Sequence, residues 1–397
     1  MVKQGYKQTE VGVIPEDWEI LKIKDIGYLT SGESPSHFEF SAGRLPYFKV
    51  EQLNNSVKYQ IDTPYHTSSS KPIDMGSIIF PKRGAAISTN KVRLLAQPSL
   101  LDTNIMALTV TNGQVHNEYL FYWFIRKGLW QIADTTSVPQ INNKHILPLQ
   151  FPSPSFVEQE RIADALSDID SFLTALEKQI SKKKVIKQGA MQELLTGKRR
   201  LPGFSEKWEQ RTFYDVCEIC ARMVDPTQKE YAGLPHIGNE SIEKFSGRIT
   251  HYNKAKDDHL RSGKYLFGSN DVLYGKINPH FAKAAFPKFE GLCSADMYPI
   301  SCKDTILPEY LLYVLLSSDF TNYTISLSKR SGIPKVNRDE LADYLITLPL
   351  LDEQKEISNV LHAMDMEIEF LMQKLEKYRQ VKQGMMQQLL TGKIRLV

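Results

Sequence analysis

The chain has 397 residues, 42% hydrophobic and 24% charged, with a net charge of +3. It is too long for one ordinary domain, and its composition excludes disordered and fibrous classes. A mean charge so close to neutral permits a nucleic-acid partner through local basic stripes but does not demand one.

No run approaches the ~20 apolar residues of a membrane span. The opening Met-Val-Lys-Gln-Gly-Tyr-Lys-Gln carries no apolar export signal, and four cysteines in so long a chain form no disulfide framework. A cytoplasmic protein without a membrane partner is therefore expected.

Residues 1–150 read as a mixed α+β domain. Ser77-Ile78-Ile79-Phe80 is a short apolar run with a strand's flanking residues, and Tyr119 to Ile125 is an apolar helix core. Lys82-Arg83-Gly84 follows the strand, with Lys91 and Arg93 in the polar stretch beyond it. Lysine and arginine in such loops reach phosphates or guanine edges. Lys82, Arg83, Lys91 and Arg93 are accordingly candidate DNA contacts, although any one of them also reads as solvated surface charge.

Residues 151–198 form a helical arm entered through Pro148, Pro152 and Pro154. Ile162, Leu166, Ile169, Leu173, Leu176 and Ile180 alternate spacings of four and three, the seam of a helix that packs along one partner. A helix of ~40 residues is ~60 Å long, and with its apolar stripe in water it would not persist alone. Gly197 stands where a glycine stop belongs, with Lys198 beside it. Gly189 marks a weak point or a close-packing position, and Lys182-Lys183-Lys184 a solvated face.

Residues 199–347 read as a second α+β domain that echoes the first. Trp18-Glu19 matches Trp208-Glu209, Leu45-Pro46 matches Leu234-Pro235, and Glu118-Tyr119-Leu120 matches Glu309-Tyr310-Leu311. Val138-Pro139-Gln140-Ile141-Asn142 parallels Ile333-Pro334-Lys335-Val336-Asn337, while the segments between these anchors diverge. Lys276 follows the strand Asp271–Tyr274 as Lys82 follows its own. Lys276, Arg261, Lys264, Arg330 and Lys335 complete the candidate DNA contacts.

Residues 348–397 are the second arm, with Ile357, Leu361, Met364, Ile368, Leu371 and Leu375 at its seam and Gly384 and Gly392 in the places of Gly189 and Gly197. Aligned without a gap at a constant offset (353 − 158 = 195), residues 158–201 and 353–396 are identical at 19 of 44 positions, which marks a duplication. The matched seams point to an antiparallel coiled coil with an approximate two-fold, the rival arrangement being two surface helices on separate cores.

Catalytic motifs are missing. Gly263-Lys264 lacks the rest of a phosphate-binding loop, and no G-x-G occurs. Asn278-Pro279-His280-Phe281 approaches the Asn-Pro-Pro-aromatic motif of amino-methyltransferases but has His280 for the second proline. Asp352-Glu353-Gln354-Lys355 contains an E-x-K, yet sits at a helix start where acids suit the dipole. Cys217-x-x-Cys220 with Cys293 and Cys302 is only loosely zinc-like, and Gly27 and Thr30 replace the first two in the related domain. No metal site is expected.

Three blocks carry a family resemblance. Tyr6 to Trp18, Leu149 to Ile162 with the helix ending Leu194-Leu195-Thr196-Gly197-Lys198, and Leu348-Pro349-Leu350 through Lys393 together resemble the specificity subunits of type I restriction–modification systems. The resemblance implies two target-recognition domains, each reading half of a split, asymmetric DNA sequence, and arms that set the gap. It also implies docking of two methyltransferase subunits and of translocase–nuclease subunits. S-adenosylmethionine, Mg²⁺ and ATP would then belong to those partners, and this chain would not be an enzyme. The alternative from another class is a coiled-coil structural adaptor without sequence preference on DNA.

Overall fold

The computed structural model describes residues 4–40, 43–68, 71–328 and 332–397. They form two compact units, residues 1–175 with 375–397 and residues 176–374. Each unit holds one α+β domain and a stretch of each of two long helices.

In the first unit a five-stranded sheet uses β1 (Gly27–Ser31), β2 (Tyr59–Gln60), β3 (Ile78–Pro81), β4 (Arg93–Leu95) and β5 (Ile105–Val110) in the order β1-β5-β3-β4-β2. Every residue of β3 is buried. Ile78 and Phe80 point into the core built on α1 (Asn117–Lys127), and Ile79 points into a second cluster with Phe48, Leu53 and Ala107. A strand covered on both faces needs an unbroken apolar run instead of alternation. Six consecutive buried residues, Tyr119 to Phe124, likewise leave α1 little solvent face.

The second unit repeats this plan. Here β6 (Cys217–Ile219), β7 (Val272–Gly275), β8 (Ala284–Ala285) and β9 (Met297–Cys302) lie in the order β6-β9-β7-β8. Val272 and Tyr274 face the core of α3 (Pro308–Leu316), and Leu273 faces a separate cluster with Ile237 and Phe267. The echoed Leu-Pro dipeptides also keep one role. The strands Leu45–Phe48 and Pro235–Ile237 pair in parallel with Leu100–Leu101 and Leu292–Cys293.

The arms are α2 (Phe156–Leu194) and α5 (Leu351–Leu389), 39 residues each; α4 (Ser318–Leu327) lies between α3 and α5. In the first unit Phe172 meets Tyr378 with ring centres 4.5 Å apart, and Lys382 bonds Asp170 at 2.5 Å. In the second, Lys183 bonds Glu367 at 2.7 Å and Lys187 bonds Asp365 at 2.5 Å. Numbers rise along one helix as they fall along the other, so the pairing is antiparallel in both units.

Of the twelve seam positions, Ile162, Leu166, Leu173, Leu176, Ile180, Ile357, Leu361, Ile368, Leu371 and Leu375 are buried. Ile169 and Met364, which share the 195-residue offset, are half-buried. The two arrangements weighed from sequence both occur. Ile162 and Leu166 belong to the first domain core with Met386, Leu389 and Leu390, as Ile357 and Leu361 belong to the second with Met191, Leu194 and Leu195.

Gly197 and Gly392 adopt φ of +69° and +68°, the left-handed stop. Gly189 and Gly384 are not close-packing positions, since nothing lies within 4 Å of where a Cβ would stand. Lys183 is half-buried and paired with Glu367, whereas Lys182 and Lys184 are exposed.

Candidate nucleic-acid interface

The residues that follow β3 and β7 are held by the same stitches. In the first unit the Lys82 N–H donates to the Asn104 carbonyl (2.9 Å), and the Lys82 carbonyl accepts from Ile141 (2.9 Å). Gly84 donates to the Pro139 carbonyl (2.9 Å), and Arg83 bridges to Gln140. In the second unit Lys276 donates to the Asp296 carbonyl (3.1 Å) and accepts from Val336 (3.0 Å). Asn278 donates to the Pro334 carbonyl (2.8 Å), and Ile277 bridges to Lys335.

Each domain thus presents a two-segment ledge at the end of its buried central strand. Gly84 and Asn278 complete it with φ of +82° and +52°, values that glycine and asparagine tolerate best. On this ledge Arg83, Val138, Lys335 and Ile333 are exposed, and Lys82, Gln140 and Lys276 are half-buried. The Lys82 ammonium donates to the Ser31 hydroxyl at 3.2 Å, and the Lys276 ammonium lies 5.1 Å from the Tyr298 ring centre. Tyr298 donates in turn to the Val336 carbonyl at 3.1 Å, and burial pushes its phenol up to about 12. Such a ledge offers cations for phosphates and an amide and amines for base edges.

A model of the type I restriction modification DNA specificity domain matches residues 15–187 and again 205–378. This chain belongs to the type I restriction–modification DNA-specificity family. The EcoDI specificity subunit of Escherichia coli is 23% identical over 384 residues, spanning 87% of this chain and 81% of its own length. The MjaVIII specificity subunit of Methanocaldococcus jannaschii is 24% identical over 424 residues, spanning 99% and 97%. Among solved structures, the type I S subunit from M. genitalium covers 94% of this chain and 96% of its own, with 12% identity and a TM-score of 0.56. A chain from a study of complex assembly and conformational transition of the type I R-M system covers 96% and 99%, with 15% identity and a TM-score of 0.61. These two likenesses bear on the fold.

The specificity subunit is a DNA sequence-specificity protein, and the adaptor reading is set aside. Its candidate contacts divide by placement. Lys82, Arg83, Lys276 and Lys335 gather on the two ledges. Lys91 is half-buried just after the turn that ends at Asn90, and Arg261 is exposed in the loop before the strand Lys264–Phe267, and neither takes part in the stitches described.

Two candidates need correction. The Arg93 guanidinium donates to the carbonyls of Leu53 (2.7 Å) and Val92 (2.6 Å), and burial lowers its affinity for the proton. Lys264 is buried, its ammonium 2.8 Å from both the carbonyl and the hydroxyl oxygen of Ser262, and burial again lowers its pKa. Each opens a strand and spends its donors on oxygens of neighbouring non-strand residues, which composition does not reveal. Arg330 lies outside the described residues.

Gln140 joins the first ledge as a further candidate contact. It occupies the place of Lys335 at the 195-residue offset (335 − 140 = 195), and that alignment was the signal that pointed to it. Among the described residues no cluster of metal-ligating side chains occurs, and no helix is long and apolar enough to cross a membrane.

Proposed function

We propose that each recognition domain reads one half of a split, asymmetric DNA target, with the ledges of Lys82, Arg83 and Gln140 and of Lys276 and Lys335 against the duplex. The observation that carries this reading is one backbone arrangement, repeated bond for bond, bearing different side chains. A shared scaffold presents each surface in the same way, and the different residues on it select different bases. The paired arms set the gap between half-sites and dock two modification subunits, which the duplicated sequence suits by offering similar surfaces twice. Restriction subunits join that assembly for cleavage. S-adenosylmethionine, Mg²⁺ and ATP are bound by these partners, which carry out the chemistry in the cytoplasm while this chain supplies position.

The test is to co-express the chain with its modification subunit in a host lacking DNA methylation and to map modified adenines across the genome. A split asymmetric motif with a fixed gap, lost when this chain is omitted, is the expected result. Methylation that persists without the chain would overturn the reading.

A further inference from the structure

We infer that Cys217 and Cys302 form an oxidisable thiol pair, closing to a cross-strand disulfide that staples the second recognition domain alone. The two residues are directly opposite on the antiparallel strands β6 and β9. The pairs on either side identify the kind of position. Lys303 donates to the Val216 carbonyl at 2.8 Å, and Cys220 donates to the Pro299 carbonyl at 2.9 Å. Hydrogen-bonded pairs alternate with unbonded ones along an antiparallel ladder, so Val216–Lys303 and Cys220–Pro299 place Cys217–Cys302 at an unbonded pair. Opposed Cα atoms there stand ~4.5 Å apart with their side chains on one face, inside the range that a disulfide spans. The Cys302 thiol and burial together push the Cys217 thiol up, as the opposed register would have it.

The pair is also asymmetric in a way that orders the reaction. Cys217 is buried in the domain core, whereas Cys302 is half-buried and lines a cavity of about 290 Å³ with Asp271, Phe286, Ser301 and Lys303. Cys302 is therefore the more accessible of the two thiols, and the one that a small disulfide such as oxidised glutathione would meet first. The Cys302 thiolate attacks one glutathione sulfur, the glutathione S–S bond breaks, and one glutathione leaves as thiolate and takes up a proton. Cys217 then attacks the Cys302 sulfur, the mixed S–S bond breaks, and the Cys217 proton passes to the second glutathione as it leaves. Two protein thiols are oxidised as one small disulfide is reduced to two thiols.

The first domain has Gly27 opposite Val110 at the matching place and cannot respond. The strand involved, β9, adjoins Asp296, which holds the Lys276 ledge. Beyond its other end, Thr305 and Leu307 hold Gln354 of α5. The staple therefore falls on the strand that joins the candidate interface to the arm.

The test is to treat the full chain, reduced and natively folded, with oxidised glutathione, and to alkylate remaining thiols in denaturant. The digest should cut after Glu218 and before Asp296, which separates Cys217 from Cys220 and Cys293 from Cys302. A linked peptide pair containing Cys217 and Cys302, released by dithiothreitol, with alkylated thiols falling from four to two, is the expected result. The variant Cys217→Ala should stop at glutathione on Cys302. Should that core variant fail to fold, Cys302→Ser should give no cross-link. Four free thiols, a wild-type chain that stops at glutathione on Cys302, or a link through Cys220 or Cys293 would each overturn the inference.

Discussion

At Glu158 the Trp18 indole (3.2 Å) and the Arg395 guanidinium (2.7 and 2.8 Å) share one carboxylate whose side chain is 2% exposed. Glu353 is held in the same way by Trp208 (2.9 Å) and Arg200 (2.6 and 2.7 Å). Arg200 and Arg395 are themselves repeat equivalents (395 − 200 = 195). Each lies just past the end of one arm and closes the root of the other. Arg395 also grips Asp17, and its hydrogen bonds hold that carboxyl below the usual range. Removing one partner of a buried ion pair strands the other. Arg395→Ala should therefore lower stability by about 3 kcal/mol in urea unfolding, and a loss under ~1 kcal/mol would mean that water reaches Glu158. Alkali probes a different set of residues. Burial pushes Tyr274 and Tyr298 up to about 12, above the ~10 of an unfolded tyrosine. Their contribution is complete below pH ~10 and is lost as pH rises from there towards 12. The share of tyrosinate absorbance that Tyr274→Phe and Tyr298→Phe remove should accordingly be the part that rises together with unfolding, and not before it.

The arms are anchored at the scale of the element by residues that look unremarkable in sequence. The Gln159 amide donates to the carbonyls of Gln114 and Pro154 and its oxygen accepts from His116, all at 2.9 Å. Gln354 repeats this with Thr305, Pro349 and Leu307. The Glu-Gln dipeptides thus fasten helix to domain. Further along, Tyr122 and Lys382 converge on Asp170, as Tyr313 and Lys187 converge on Asp365. The glycines of the arms should respond in opposite directions. Gly189→Ala and Gly384→Ala meet open space in a helix interior and should each stabilise by about 0.5–1 kcal/mol. Gly197→Ala and Gly392→Ala meet positive φ, and at Gly392 a Cβ would come within 2.4 Å of Pro15. Both should destabilise, by about 1 kcal/mol or more at Gly197 and by more at Gly392. Thermal melting of the four single variants checks both signs.

For the whole molecule, the testable consequence is modularity. Exchanging residues 200–347 for those of another specificity subunit should change one half-site and leave the other intact. Inserting one heptad in each arm should lengthen the gap and leave both half-sites as they were. Methylation mapping reads both outcomes. Half-sites that change together would refute separate readers, and an unchanged gap would refute the ruler. Neither outcome depends on which bases each ledge reads.

Periodicity and repetition determined a good deal from sequence alone. The arms, their seams, their glycine stops and the pairing of two related α+β domains are local or self-comparing features, and a duplication preserves such features at a constant offset. The family followed from the same blocks. What only the tertiary structure decided is which charged side chains are free. Arg93 and Lys264 look like Arg83 and Lys335 in sequence, but the former bond backbone inside the fold while the latter stand on the ledges. Tertiary packing likewise brought Glu158 to Arg395 across 237 residues of chain and placed Cys217 opposite Cys302. Hydrogen-bond partners are set by chain crossings, and a one-dimensional pattern records no crossing.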